Sequence, residues 1–490
     1  MDYLDPKKKI ALRRRLFVGY GLMAVAIAFA TVILVYIGSG FYVDRQTGSL
    51  IQNGQIIVNS DPEGARVYVN DKQQRAKTSG KLVLPSGAYS VSFKKDNYRD
   101  WNQQVTLDGG IVQRLDYARL IPKELSTSIA QTFSSAPSDI SQSPDRRWIT
   151  LAFADQPKQF YLYDLTQPEE APKAIAIDAS LYVDANKIGY LVVSEWSDDN
   201  KTMLLENRYN GAVQDYFLLN KDNTLLAKNL TRLYGVPGVV ISLSERSNDR
   251  FFVYNPATKV LNTATVATSI LTSRLTEVLE FRTLNENTIL YTTLVVASQG
   301  KVQVRITDGL EKSYLVREIS QDGPHLLGIS KYGSNTTVAV GATKDNKVAI
   351  FKNPVGYFKS NPTKTLPLAV AMFALNEPSE VSFSTDGSVV MARGGQRIAS
   401  YYFEENKSSR FDIAQPISAQ KLRWADGKHL QYVSNGFAYI TDFDGANTQQ
   451  LMETNELFSV NFDNTYRYLY SFSKTTKPFN ISRTLIKLNN

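Results

Sequence analysis

Carboxylates in turns are the side chains of this 490-residue chain whose spacing most invites a chemical reading. Asp442-Phe443-Asp444-Gly445 places acids at alternate positions ahead of a glycine, as an EF-type calcium loop begins. The closing glutamate of such a loop is missing, because Glu453 follows Leu451-Met452, which reads as a strand end. The four residues are therefore taken as a hairpin turn. Histidine offers only His325 and His429, far apart in the sequence and too few for a metal cage. Cysteine is absent, which removes disulfide, zinc-thiolate and thiol-nucleophile chemistry, so packing alone must hold the fold. No G-x-S-x-G elbow, H-E-x-x-H, P-loop or dinucleotide fingerprint occurs. The 47 acidic residues leave a paired-carboxylate glycosidase open, since sequence spacing does not fix spacing across a fold. Trp101, Trp148, Trp196 and Trp424 have the chemistry to stack on a sugar or a partner. Each sits in or beside a strand-like run and is assigned to packing. No catalytic, cofactor-binding or metal-ligating residue is nominated, and the chain is expected not to be an enzyme.

The elements that must position these turns are mostly strands. Hydrophobic residues make up 43% and charged residues 21%, the balance of globular protein, and 27 Tyr with 23 Phe favour pleated surfaces. The net charge of +8 is unevenly spread. Lys7, Lys8, Lys9, Arg13, Arg14 and Arg15, against Asp2 and Asp5, hold half of it in the first fifteen residues. The remainder is too dilute for a phosphate-binding stripe, so nucleic acid is not an expected partner.

From Leu16 to Val43 there is no charged side chain. The dense apolar stretch Leu16 to Ile37 reaches roughly 33 Å as a helix, enough to cross a bilayer core of about 30 Å. Tyr20, Tyr36, Phe41 and Tyr42 stand near its ends, where aromatic side chains favour the headgroup boundary. The basic cluster before it sets the N-terminus inside and the rest outside. A cleaved signal peptide would have a shorter apolar run and a small-residue cleavage site. Ile37-Gly38-Ser39-Gly40-Phe41 does not provide one, so the helix reads as an uncleaved signal-anchor.

Beyond a linker the period becomes two, in Gln55 to Asn59, Arg66 to Asn70, Lys81 to Leu84, Tyr89 to Lys94 and Gln103 to Leu107. Pro62-Glu63-Gly64-Ala65 turns between the first two runs, and Pro85-Ser86-Gly87 marks another turn. With Gly54-Gln55-Ile56-Ile57-Val58, Val67-Tyr68-Val69-Asn70-Asp71-Lys72 and Asp96-Asn97-Tyr98, this segment resembles the PEGA domain, a small bacterial and archaeal β-sandwich. Asn70-Asp71 departs from the Asp-Gly usual there, and no Thr-Pro follows the second hairpin. The resemblance implies an envelope or surface binding module without catalytic residues.

After Pro122 a unit recurs of a strand, a polar turn and further alternating strands. The turns are Ser143-Pro144-Asp145, Ser197-Asp198-Asp199, Pro237-Gly238, Asn285-Glu286-Asn287, Tyr332-Gly333-Ser334, Thr385-Asp386-Gly387, Ala425-Asp426-Gly427 and Asp463-Asn464. Their spacing, roughly 37 to 53 residues, is that of propeller blades. The clearest unit, Leu422-Arg423-Trp424-Ala425-Asp426-Gly427 through Asp442-Phe443-Asp444-Gly445-Ala446-Asn447, resembles the TolB-type propellers, relatives of the WD-repeat family. The Ser-x-Asp turns also resemble structural Asp-boxes of sialidases, but no arginine triad or tyrosine nucleophile can be picked out.

The expected fold class is mainly β: an N-terminal transmembrane helix, a small PEGA-like β-sandwich, then a β-propeller of seven or eight blades, eight preferred. The expected bounds are 1–15 for a cytoplasmic basic tail, 16–38 for the helix, 39–53 for a linker, 54–122 for the sandwich and 123–490 for the propeller. The expected role is a membrane-anchored extracytoplasmic binding or scaffolding protein of the bacterial envelope. Its partners would be the bilayer and a protein or glycan, with no cofactor. The alternative is an extracellular propeller hydrolase acting on polysaccharide or peptide. A sensor relaying through the helix is disfavoured by a tail of fifteen residues.

Overall fold

The computed structural model describes residues 6–38, 40–43, 50–235, 238–309, 312–363, 365–414, 416–417 and 422–488. The chain divides into two compact units, Met1–Glu124 and Leu125–Asn490.

The first unit opens with a helix, Pro6–Gly38, that carries Lys7, Lys8, Lys9 and Arg13 to Arg15 in its first half. Its segment Arg13–Tyr36 has a mean hydropathy of 2.4, and none of it is covered by protein. Thr31 returns its hydroxyl to the Ile27 carbonyl at 2.8 Å, leaving no bare donor there. The helix is long and apolar enough to cross a membrane.

The expected linker is partly sheet. Phe41–Val43 runs antiparallel to the start of Leu50–Asp61, with Phe41 opposite Gln52. Bulky β-favouring residues outweigh the flanking Gly and Ser there. Leu50–Asp61 also pairs with Gly80–Pro85 and, in parallel, with Val112–Arg119. A second sheet is ordered Lys72–Lys77, Arg66–Val69, Gly87–Lys94, Trp101–Leu107. Between them lie Ile56, Val58, Val67, Val91, Phe93 and Leu115, with the fully buried Trp101 stacked on Phe93 at 4.8 Å. Lys72–Lys77 was not legible as a strand because it is a polar edge strand with mostly exposed side chains.

The second unit contains eight four-stranded antiparallel sheets among the described residues. In chain order seven of them span 139–176, 190–229, 240–275, 280–320, 325–374, 380–412 and 423–453. The eighth adds Ser126–Phe133, from the start of the unit, to Asn461–Phe462, Tyr468–Phe472 and Phe479–Leu485. Each sheet buries its faces against its neighbours. Phe160 and Leu162 meet Leu205 and Phe217, and Leu204 and Tyr216 meet Phe251 and Val253. Phe252 meets Ile289 and Tyr291, and Val302 and Val304 meet Val338 and Val340. Ala339 and Val348 meet Ala392 and Tyr401, while Met391 and Ile398 meet Leu430 and Tyr432. The seventh and eighth sheets are tied by the Asn455 N–H to the Phe472 carbonyl at 2.7 Å. Tyr470 and Phe472 then pack on Ile149 and Tyr163 of the first sheet, which closes the ring. The fold is a β-propeller. Such a ring covers both faces of every sheet and leaves only short edges.

The first strands of neighbouring sheets pack together around the axis, as 280–283 does with 325–332 and 325–332 with 380–383. Gly328 permits one such approach, since a Cβ there would lie 3.0 Å from the Phe383 ring. The turn that follows each first strand therefore lies at one end of a central channel.

Candidate functional site

The Ser-x-Asp turns at that end share one wiring. Ser143, Ser197 and Ser384 each donate a hydroxyl to the aspartate two residues on, Asp145, Asp199 and Asp386. The backbone N–H two residues beyond, of Arg147, Lys201 and Ser388, donates to the same carboxylate at 2.8 to 3.1 Å. Asp426 repeats the pattern with Lys428. Gly387, at φ +70, passes so close to the fifth sheet that a Cβ would lie 2.2 Å from the Lys331 carbonyl oxygen. Gly427 lies against the Asp386 carboxylate. The sequence repeat is thus the repeat of a turn.

One expected turn is placed differently. Gly238 precedes the first strand of the third sheet, and Pro237 lies outside the described residues. The equivalent turn is Ser244–Arg246, where Glu245 and Arg246 both have positive φ, +52 and +50. A proline-glycine pair signals a turn but not which end of a sheet it serves.

Asp442 is buried and points inward. His429 is enclosed with it: Nδ1 lies 2.8 Å from the Asp426 carboxylate, and Nε2 lies 3.3 Å from Asp442 Oδ1. Burial alone would push this imidazole down, but the two carboxylates outweigh it and raise its pKa to about 9. Asn447 donates to the other oxygen of Asp442 at 2.8 Å, and Asp444 accepts the Ala446 N–H at 3.1 Å, serving its own turn. Gly445, at φ +87, abuts the Phe411 ring. His325 Nδ1 lies 2.9 Å from Glu280 Oε1, and that carboxylate raises its pKa.

Pro62-Glu63-Gly64-Ala65 forms a clasp in the first unit. The buried Thr78 hydroxyl accepts the Ala65 N–H at 2.9 Å and contacts the Ser60 hydroxyl at 2.6 Å, and its carbonyl accepts from Gly64 at 2.7 Å. Lys95 donates to the Glu63 carbonyl, which leaves the Glu63 side chain exposed.

A large hollow of the second unit lies beside several of these turns, with Asp198, Glu245, Arg246, Glu280 and Asn285 in its lining. That cavity, about 860 Å³, opens at the turn end of the channel between the second and fifth sheets. It carries mixed charge from Glu195, Glu245, Glu280, Arg246, Arg282 and Lys331. A neighbouring hollow of about 570 Å³ shares Arg246, Arg282 and Thr283 and adds Ser330, Arg423 and Trp424. Burial raises the pKa of Glu195, against the Leu243 N–H that its Oε2 accepts at 2.9 Å. Burial also raises Asp139, opposed by Arg208 and Arg423, and lowers Arg423, opposed by Asp139. Arg423 is open to solvent yet walled in by the channel. Among the described residues no three acids or imidazoles cluster as a metal site would require.

Sequence reasoning missed these residues. Their signal is weak: in Glu280-Phe281-Arg282-Thr283 and Arg423-Trp424 a charge alternates with an aromatic residue, and only the register shows which side chains face the axis. Of the four tryptophans, Trp101 and Trp196 are buried, and Trp148 lies between Arg147 and Lys221, each 4.7 Å from its ring. Trp424 reaches the channel, its indole donating to the Ser382 hydroxyl at 3.0 Å.

Among solved structures the chain is similar to Kluyveromyces lactis Hsv2, at 12% identity and a TM-score of 0.40, covering 65% of this chain and 98% of that one. It is also similar to an oligogalacturonate lyase in complex with manganese, at 12% identity and a TM-score of 0.41, covering 73% and 97%. A third is the β-propeller domain of Myceliophteria thermophila Cps50 (Swd1), at 10% and 0.34, covering 74% and 100%. No curated protein matches the sequence. The PEGA domain family matches residues 53–120. The chain thus carries a PEGA domain at residues 53–120, preceded by a long apolar helix and followed by a β-propeller.

Proposed function

We propose that this is a membrane-anchored, extracytoplasmic binding protein of a bacterial envelope, whose propeller channel mouth recognises a protein or glycan partner. The observation that carries the reading is the mixed-charge mouth, where arginines from several sheets interleave with acids. Glu195 is engaged by a backbone N–H, and Asp139 faces arginines. The helix supports anchoring by length and apolarity. Its basic first half supports a cytoplasmic N-terminus, and PEGA domains are typically extracytoplasmic. The bounds 1–15, 16–38, 39–53, 54–122 and 123–490 are kept as the working division. The eight sheets are read as eight blades.

The second reading, a propeller hydrolase, draws on Asp139 and Glu195, two channel carboxylates that burial holds toward the protonated form. One experiment separates the two. Full-length protein in nonionic detergent is incubated with envelope extract and with labelled envelope polysaccharides. Specific retention of a partner or glycan without turnover is expected. Release of labelled fragments that is lost in an Asp139→Asn, Glu195→Gln variant would replace the binding role with hydrolysis.

A further inference from the structure

We propose that the 570 Å³ hollow at the channel mouth is an oxyanion-binding site, in which Arg246, Arg282 and Arg423 together take a carboxylate, phosphate or sulfate group of the ligand. The three arginines come from the third, fourth and seventh sheets, distant in sequence and brought together only by the ring. Among the described residues they are the only charged side chains lining this hollow, whereas its larger neighbour mixes both signs.

Their guanidinium groups are poorly occupied by the protein. Arg423 makes no ion pair among the described residues, and burial lowers its pKa with Asp139 as the opposing acid. Arg282 donates to the Phe281 carbonyl at 2.8 Å, which leaves most of its five donors available. Arg246 reaches Asp198 only at 3.6 Å, with both side chains largely exposed, a geometry that binds weakly. Like charges gathered in a walled space repel, and a bound oxyanion relieves that repulsion while matching the arginine forks. Two features fit a built site. Glu245 and Arg246 hold consecutive left-handed conformations without being glycine, which costs free energy and sets Arg246 at the hollow. The hydroxyls of Thr283, Ser330 and Thr385 line the same space and make no side-chain hydrogen bond among the described residues. They suit the polar remainder of a ligand about the size of a monosaccharide.

The inference rests on the binding role proposed above, but it is measured on purified protein, so either can fail without the other. Full-length protein in nonionic detergent is titrated calorimetrically with inorganic phosphate, sulfate and glucuronate, with glucose as the uncharged control. At least one anion is expected to bind and glucose not to bind, with affinity falling as salt rises. The stronger anion identifies the group. The Arg282→Gln, Arg423→Gln variant should weaken binding tenfold or more at an unchanged ligand-free melting temperature. Arg282→Lys, which keeps the charge but loses the fork, should weaken it several-fold and serves if the double variant does not fold. Arg397→Gln, on the third strand of the sixth sheet and paired with Asp412, should leave binding unchanged. Absence of binding by all three anions, or an equal effect of the channel and Arg397 substitutions, would overturn the proposal.

Discussion

His429 shows how much a single side chain can be hidden by its sequence context. Read alone it is an unremarkable histidine, yet it holds two turn aspartates together in the seventh sheet. Its folded pKa of about 9 lies above the ordinary 6.5, so the folded state binds the proton more tightly. The stability it contributes is complete below about pH 6.5 and is lost as pH rises to 9 and above, on the order of 3 kcal/mol. His325, raised by Glu280, acts in the same direction. Urea denaturation between pH 6 and 10 should show this decline, and His429→Gln should flatten most of it. The same variant leaves the buried Asp442 and the half-buried Asp426 without their cation and should cost roughly 3 to 5 kcal/mol at neutral pH. A pH profile as steep as that of the parent would refute the assignment. Asp442-Phe443-Asp444-Gly445 reads in the sequence as a hairpin turn and not a calcium loop, but sequence shows only the spacing of these oxygens and not that Asp442 turns inward to His429.

At the scale of elements, turns were the most legible part of the chain, because their chemistry is local. Ser-x-Asp works through bonds spanning two residues, and seven of the eight expected turns follow a first strand. Pro237-Gly238 failed since nothing local tells one end of a sheet from the other. The polar edge strand Lys72–Lys77 failed because no apolar alternation announces it. Gly445→Ala should cost about 1 to 3 kcal/mol from its φ alone, and more from the Phe411 contact, read as a lower denaturation midpoint. The closing strand offers a sharper test. Thr127 and Thr484 face each other with hydroxyl oxygens 2.8 Å apart. In a chain without cysteine, Thr127→Cys with Thr484→Cys introduces the only two thiols. They should form a disulfide that migrates faster on nonreducing gels and raises the melting temperature by a stabilisation on the order of 4 kcal/mol, reversed by reductant.

The whole molecule was readable in outline, as helix, sandwich and propeller, because hydropathy, a tetrapeptide with its flanking strands, and a repeat length are all properties of the sequence. The channel was not, since Arg246, Arg282 and Arg423 become neighbours only when eight sheets close on themselves. Orientation belongs to this scale too. Replacing Lys7, Lys8, Lys9, Arg13, Arg14 and Arg15 by glutamine should let a fraction of chains insert the other way round. In spheroplasts, a C-terminal tag removed by external protease in the parent should become partly protected, and unchanged accessibility would count against the charge as the determinant.

The pairing of Ser126–Phe133 with Phe479–Leu485 has a consequence for the chain as it is made. Thr127 and its partner Thr484 are 357 residues apart. At about 5 to 20 residues per second, the first strand must wait roughly 20 to 70 s for the last to be synthesised. Until then an unpaired strand and an open set of sheets are presented together, the condition in which chains associate with one another. The propeller is therefore a late-folding product, and cells that make it need something to shield its opening strand in that interval.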